Sequence, residues 1–194
     1  MDRTDKDLLE AHCTGDGTAF EELLRRHGGS VLGYLGRMTG DSHLAEDMFQ
    51  ETFRRVHQKA HTLRGDNART WLFTIATRIA MDGFRKSRRM RCVSLDQSRD
   101  DGDDRSEPKH AVCDPSPDPA AAAYKAEQIR LVRQAVLDLP PRQRVTLVLA
   151  YYQQLPYARI GEILGCSPGS VKTQMFRALR KLAQRLPDRA GGVV

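Results

Sequence analysis

Between residues 3 and 92 the apolar positions recur every three or four residues, the period of helices that bury one face. Thr4 stands three residues before Asp7, a capping-box spacing that opens a short first helix. A longer helix follows, with Phe20, Leu23, Leu24, Val31, Leu35 and Met38 on one face and Gly28–Gly29 as a point where it can bend. Ser42 is placed to cap a third helix striped by Leu44, Ala45, Met48, Phe49, Phe53 and Val56. Its other face is polar, with Glu46, Asp47, Gln50, Glu51, Arg54 and Arg55. Gly65 and Asp66 interrupt the pattern, and Asn67 caps a fourth helix carrying Trp71, Leu72, Ile75, Ile79 and Phe84. No stretch keeps the period of two that a half-buried strand requires, so this segment reads as a helical bundle.

The pattern then lapses. The stretch VSLDQSRDDGDDRSEPKHAVCDPSPDP is poor in large apolar residues and rich in Asp, Ser and Pro. It cannot bury enough surface to offset its ordering entropy, and it reads as a flexible linker. Periodicity resumes at Asp118-Pro119, a cap followed by proline at the first helical position. That helix runs to about Asp138, another from near Pro141 to about Tyr152, and a short one from about Tyr157 to Leu164. Gly165 makes a turn, Ser167 caps again, and Pro168 starts a last helix that ends before Pro187. Its stripe of Val171, Met175, Leu179 and Leu182 is placed to pack against Ile160, Ile163 and Leu164, the layout of a helix-turn-helix. The chain is therefore expected to be all-α: two small helical domains, residues 1–92 and 119–187, joined by a linker at 93–118.

Charge sharpens this picture. The chain carries a net +6, yet Ser94 to Asp118 holds eight acids against three bases, leaving +11 on the rest. Two basic bodies joined by an acidic strap suit a polyanionic partner. Composition excludes other classes: 40% hydrophobic and 29% charged residues suit a globular protein. No apolar run reaches the roughly 20 residues that span a bilayer, and MDRTDKDLLEAH lacks the apolar centre of a signal peptide. A cytoplasmic protein with no membrane insertion is expected. Cys13, Cys92, Cys113 and Cys166 show no metal-ligand spacing, so neither a zinc site nor a disulfide framework is expected.

The last helix carries the most specific chemistry. Lys172, Thr173, Arg177, Arg180, Lys181 and Arg185 line its polar surface, with no acid before Asp188. Phosphate attraction accounts for one dominant sign, and the N-terminal end of such a helix reaches base edges. Ser170, Lys172, Thr173 and Gln174 occupy that end, and all can hydrogen-bond in a major groove. A second cluster, FRKSRRMR, ends the fourth helix with Arg85, Lys86, Arg88, Arg89 and Arg91. Upstream of it, TLRGDNARTWLFTIA couples a polar glycine loop to aromatic residues, the ingredients that grip an unstacked base. Trp71 shares the stripe of Leu72 and Ile75 and suits core packing, whereas Phe73 lies off that stripe and is expected at the surface.

With these motifs in order, the chain resembles the sigma factors of bacterial RNA polymerase, specifically the compact extracytoplasmic-function (ECF) group. The resemblance rests on AFEELLRRHGGSVLGYLGRMTGDSHLAEDMFQETFRRVHQ, RGDNARTWLFTIATRIAMDGFRKSRR and LPPRQRVTLVLAYYQQLPYARIGEILGCSPGSVKTQMFRALRKL. It implies a sigma-two domain whose third helix docks on the clamp helices of the polymerase largest subunit through Asp47, Gln50, Glu51, Arg54 and Arg55. It further implies contact with the polymerase flap. Arg64, Asp66 and Asn67, with Phe73, Thr74 and Arg78, would recognise the minus-ten promoter element and trap a flipped base. Arg85, Lys86, Arg88 and Arg89 would hold phosphates there. The helix-turn-helix would be a sigma-four domain reading the minus-thirty-five element through Ser170, Lys172, Thr173, Gln174, Arg177 and Lys181. An anti-sigma partner is expected, and no catalytic residue, metal or cofactor.

Two other readings remain at this level. A stand-alone duplex-binding regulator would have no use for a base-trapping first domain. An enzyme would need a phosphate loop, a ligand cluster or a nucleophile motif, and the nearest pair, His12 beside Cys13, points in different directions on a helix.

Overall fold

In the computed structural model, residues 3–63, 65, 67–93 and 119–186 are described, with side chains excepted at 87–93 and 119–120. The acidic strap at 94–118 lies outside the described residues. Eight α-helices are present among the described residues: α1 Asp5–Cys13, α2 Gly17–Thr39, α3 Ser42–Lys59, α4 Ala68–Val93, α5 Pro119–Leu137, α6 Pro141–Tyr151, α7 Tyr157–Leu164 and α8 Pro168–Arg185. A single 3₁₀ turn, Ala60–Thr62, follows α3. Val93, the first residue of the expected linker, is still helical.

Caps set most boundaries. The Thr4 hydroxyl accepts from Asp7 N while the Asp7 carboxylate accepts from Thr4 N, closing the capping box. Asp16 caps α2 by accepting from Thr18 N and Ala19 N. The third helix corrects the sequence expectation by one position: Asp41, not Ser42, is the cap, accepting from Leu44 N at 3.1 Å. Asp and Ser cap about equally well, so two such residues in succession leave the boundary ambiguous from sequence. Gly40, just before it, ends α2 at φ +75°, a left-handed position that suits glycine.

The first segment packs α2 against α1, α3 and α4. Leu23, Val31, Tyr34, Leu35, Met38, Val56, Leu72, Phe73, Ala76 and Ala80 are buried at its centre. Tyr34 Oη lies 2.8 Å from Thr77 Oγ1 across this buried centre, and burial pushes the phenol upward. Two stripe residues fall elsewhere than expected. Leu44 is 37% exposed, and in α8 Leu179 is 53% exposed while Ala178 takes its place beside Val171 and Met175. An i, i+4, i+7 series of Val171, Met175 and Ala178 satisfies the helical period with a smaller residue that periodicity alone overlooks.

The second segment does not stand apart. Helices α5 and α6 pack against α2, and α7 packs against α4. Val136, Leu139, Val148 and Ile160 thus join one apolar core with the residues of the first bundle.

Candidate nucleic-acid interface

The α7–α8 turn is built on backbone contacts. Gly165 caps α7 at φ 64°, and Cys166 N donates to Gly161 O at 2.9 Å. Gly161 is fully inside this turn; a Cβ there would stand 2.6 Å from the Cys166 carbonyl oxygen. Ser167 Oγ accepts from Ser170 N at 3.2 Å and lies 3.0 Å from Ser170 Oγ, so the two hydroxyls share the start of α8. Thr173 Oγ1 donates back to Gly169 O.

This arrangement fixes which side of α8 faces outward. Ser170, Lys172, Thr173, Arg177 and Lys181 are exposed, while Gln174 is half-buried. Among the described residues no carboxylate pairs with Lys172, Arg177 or Lys181; the helix's later Arg185 pairs with Asp138. A run of unneutralised cations on an exposed helix with its capped N-terminus open to solvent is suited to a phosphate backbone and groove.

The first segment brings together part of the second candidate set. Asn67 is exposed, and its carbonyl accepts from Trp71 N at the start of α4. Arg78 is exposed, and Thr74 is half-buried with its hydroxyl donated to Thr70 O at 2.8 Å. Arg85 is exposed and paired with Asp82 at 3.0 Å, and Lys86 is exposed. Arg64 and Asp66 lie outside the described residues, as do the side chains of Arg88 and Arg89. Phe73 is a correction. It is 1% exposed, edge-on to the Tyr34 ring at 5.4 Å, with the Arg69 guanidinium 5.9 Å from its centroid. Because α4 packs against α2, α3 and α7 at once, its buried face is wider than one stripe, and Phe73 fills it. Trp71 is the half-buried ring at the edge.

On α3, Asp47, Gln50 and Arg54 are exposed, with Glu51 and Arg55 half-buried. Glu51 accepts from Arg54 Nε at 2.7 Å and Nη2 at 2.8 Å, and from Arg55 Nε at 2.6 Å. These bonds, Arg54's first, hold its carboxyl down at about 2, so the face keeps its charges across ordinary pH.

Two features escaped the sequence reading. An open apolar groove of about 550 Å³ lies between α6, the following loop and α8, lined by Leu147, Tyr151, Leu155, Tyr157 and Leu179. Arginines 69, 133 and 144 bond to backbone carbonyls far away in sequence. Exposure of Leu179 was hidden by its helical spacing, and no local pattern marks the three arginines. Among the described residues no three His, Cys, Asp or Glu side chains converge on a metal position, and no helix is long and apolar enough to cross a membrane.

A helix-turn-helix with an exposed basic second helix, set on a helical bundle, defines a DNA-binding transcription protein. The sigma-70 region 2 model matches residues 23–90, and the sigma-70 region 4 model matches residues 129–182. The chain is 32% identical over 181 residues to RNA polymerase sigma factor CarQ of Myxococcus xanthus, covering 93% of this chain and 96% of that one. It is 32% identical over 177 residues to ECF RNA polymerase sigma factor SigE of Mycolicibacterium smegmatis, covering 89% of this chain. It spans just under two thirds of that relative, 65% of its length. The fold is shared with sigma factor RpoE, solved in complex with the anti-sigma factor NepR from Bartonella quintana. That likeness has a TM-score of 0.68 at 23% identity, over 88% of this chain and 98% of that one. The chain belongs to the ECF group of RNA polymerase sigma factors.

Proposed function

We propose that this chain is an alternative sigma factor that binds core RNA polymerase, directs it to particular promoters and promotes duplex melting. The observation that carries the reading is the occurrence of both sigma-70 regions in order on one chain, the second ending in the unneutralised surface of α8. In this reading residues 1–92 form the docking and melting domain, 93–118 the strap and 119–187 the upstream-element reader. The α3 face of Asp47, Gln50, Glu51, Arg54 and Arg55 meets the clamp helices of the polymerase largest subunit. Arg78, Thr74, Asn67, Arg64 and Asp66, with the cations Arg85, Lys86, Arg88 and Arg89, engage the minus-ten region. Extruding a base costs a few kcal/mol of stacking, so a protein pocket must replace what is lost. Lys172, Arg177 and Lys181, with Ser170, Thr173 and Gln174, read the minus-thirty-five element.

The apolar groove beside α8 suits an apolar helix of a protein partner, the polymerase flap or an anti-sigma factor. Covalent chemistry belongs to the polymerase; this chain supplies recognition and works in the cytoplasm.

The docking face gives the test. Charge reversal by Arg54→Glu with Arg55→Glu surrounds Glu51 with like charge on the polar face of α3. Affinity for core polymerase should fall more than tenfold, about 1.4 kcal/mol or more, with helical content and thermal midpoint little changed. Undiminished binding would remove α3 as the docking surface.

A further inference from the structure

The chain enters the loop assigned to the minus-ten element through a short 3₁₀ turn. Helix α3 ends at Lys59, Ala60–Thr62 follow, and Leu63 leads on to Gly65, Asn67 and α4. Within the turn Thr62 Oγ1 donates to Lys59 O at 2.7 Å, and Leu63 N donates to Ala60 O at 3.3 Å. Hydrogen bonds in 3₁₀ geometry are poorer than those of an α-helix, so two of them do not fix the turn alone. Packing supplies the rest. Ala60 is buried, and α1 lies against the turn as well as along α2.

Helix α1 ends in a ring contact. His12, in its last turn, is half-buried, and its ring centroid lies 4.8 Å from that of His57 on α3 and 4.8 Å from that of Phe20 on α2. Phe20 closes the triangle edge-on to His57 at 5.6 Å and meets the buried Phe53 at 6.3 Å. His57 stands three residues before Ala60, so the triangle clasps the last turn of α3 where it tightens into 3₁₀. The backbone is tied at the same place: Gly15 N donates to His12 O and Asp16 N to Ala11 O, both at 3.0 Å. The rest of α1 has its own anchors. Leu8 and Leu9 are buried, and Asp5 bonds to Arg26 and His27 of α2. Removing the His12 ring therefore loosens the clasp without detaching the helix.

An imidazole in this position also makes the clasp sensitive to acid. The titratable and charged residues nearest it in sequence on α1 are Glu10, which stands beside Lys6, and Cys13. At the start of α2 they are Asp16, bonded to Arg3 and Thr18, and Glu21. Helix α3 and the 3₁₀ turn bring His57, Lys59 and His61. Of these, His57 is the charged group that acts on His12. Burial first, and then His57, keeps the His12 pKa below its ordinary 6.5. A proton on His12 would have to be desolvated against Phe20 and set against His57, so the neutral ring is the one that packs.

We propose that His12, through His57, positions the 3₁₀ turn and with it the entrance to the minus-ten loop at Leu63, so that promoter melting needs this ring contact and polymerase docking does not. This rests on the sigma reading above.

Two substitutions at one position separate the ring from its charge. The full chain is reconstituted with core polymerase, and melting is read from 2-aminopurine in the non-template strand of the minus-ten region of a promoter that the holoenzyme transcribes. At about pH 8, where the imidazole is neutral, His12→Ala should slow melting by about three- to tenfold, the scale of a ring contact, with core affinity unchanged. His12→Phe keeps a ring and should restore the rate. On going to about pH 6 the unaltered chain should lose more of its melting rate than His12→Phe, whose ring does not titrate. Comparing the two on the same polymerase cancels the enzyme's own response to pH. In the free chain, hydrogen exchange of the Leu63 amide should be faster in His12→Ala, with the amides of α2 unchanged.

Equal melting by His12→Ala and the unaltered chain overturns the proposal. So does a His12→Phe chain that melts as slowly as His12→Ala, or one that is as acid-sensitive as the unaltered chain. Loss of core binding in step with melting overturns it too. Where His12→Ala unfolds, the acid comparison with His12→Phe still decides. An unaltered chain that neither binds core nor melts a promoter counts against the sigma reading instead, while the exchange of Leu63 tests the clasp without polymerase.

Discussion

Gly161 leaves no room for a side chain, because the Cys166 carbonyl stands 2.6 Å from where a Cβ would be. Gly161→Ala must displace that backbone and the Ser167 cap beside it. Chemical denaturation should show a loss of about 1–3 kcal/mol, the usual cost of overpacking, with upstream-element binding weakened in the folded fraction. Unchanged stability would mean that the turn relaxes freely. In α1 the His12 ring lies tilted against His57 and Phe20, with ring centroids 4.8 Å apart in each pair. Burial, and then the neighbouring His57, lowers its pKa from 6.5. The native state therefore binds fewer protons than the unfolded chain, so stability should fall as pH drops below about 6.5. His12→Phe keeps a ring in place and should flatten that slope; an equally steep acid loss in the variant would place its origin elsewhere. Residue identity in the sequence announced Gly165, the Thr4–Asp7 box and the Ser167 cap, because turns and helix starts have their own chemistry. It misplaced Phe73, since one residue's exposure depends on how many neighbours its helix packs against.

At the scale of the element, two helix starts were legible from their caps. The Pro168 start of α8 and the Thr4–Asp7 box both stand where local hydrogen bonding requires them. The Asp41–Ser42 pair was not decidable, as two equivalent caps adjoin. The polar faces of α3 and α8 were readable because a helix covered on one side must present its remaining residues to solvent. For α8 this yields a quantitative expectation. Lys172→Ala and Arg177→Ala should each weaken upstream-element binding by roughly 1–3 kcal/mol where the side chain contacts a base. A residue that holds only phosphate should instead lower the salt slope by about 0.9 and weaken all sequences alike. Gel-shift titrations at several salt concentrations distinguish the two, and unaltered affinity and slope in both variants would remove them from the interface.

The whole molecule holds what local pattern could not supply. Periodicity, caps and the composition shift at the strap reveal two helical segments, but nothing in them states that α5 and α6 pack on α2. That contact depends on Leu137 meeting Gly40 and on Arg144 reaching Met38 O across 106 positions of sequence. Such pairings follow from three-dimensional closure, and a sequence window of one helix contains only half of each. In the proposed reading, the division of labour across the chain has both segments acting on one polymerase. The most direct measurement is transcription from a genomic promoter library by core polymerase reconstituted with the purified chain. The account predicts transcripts from promoters that share two spaced elements, with none from core alone. Stable binding to duplex DNA, with no association with core and no transcript, would contradict it.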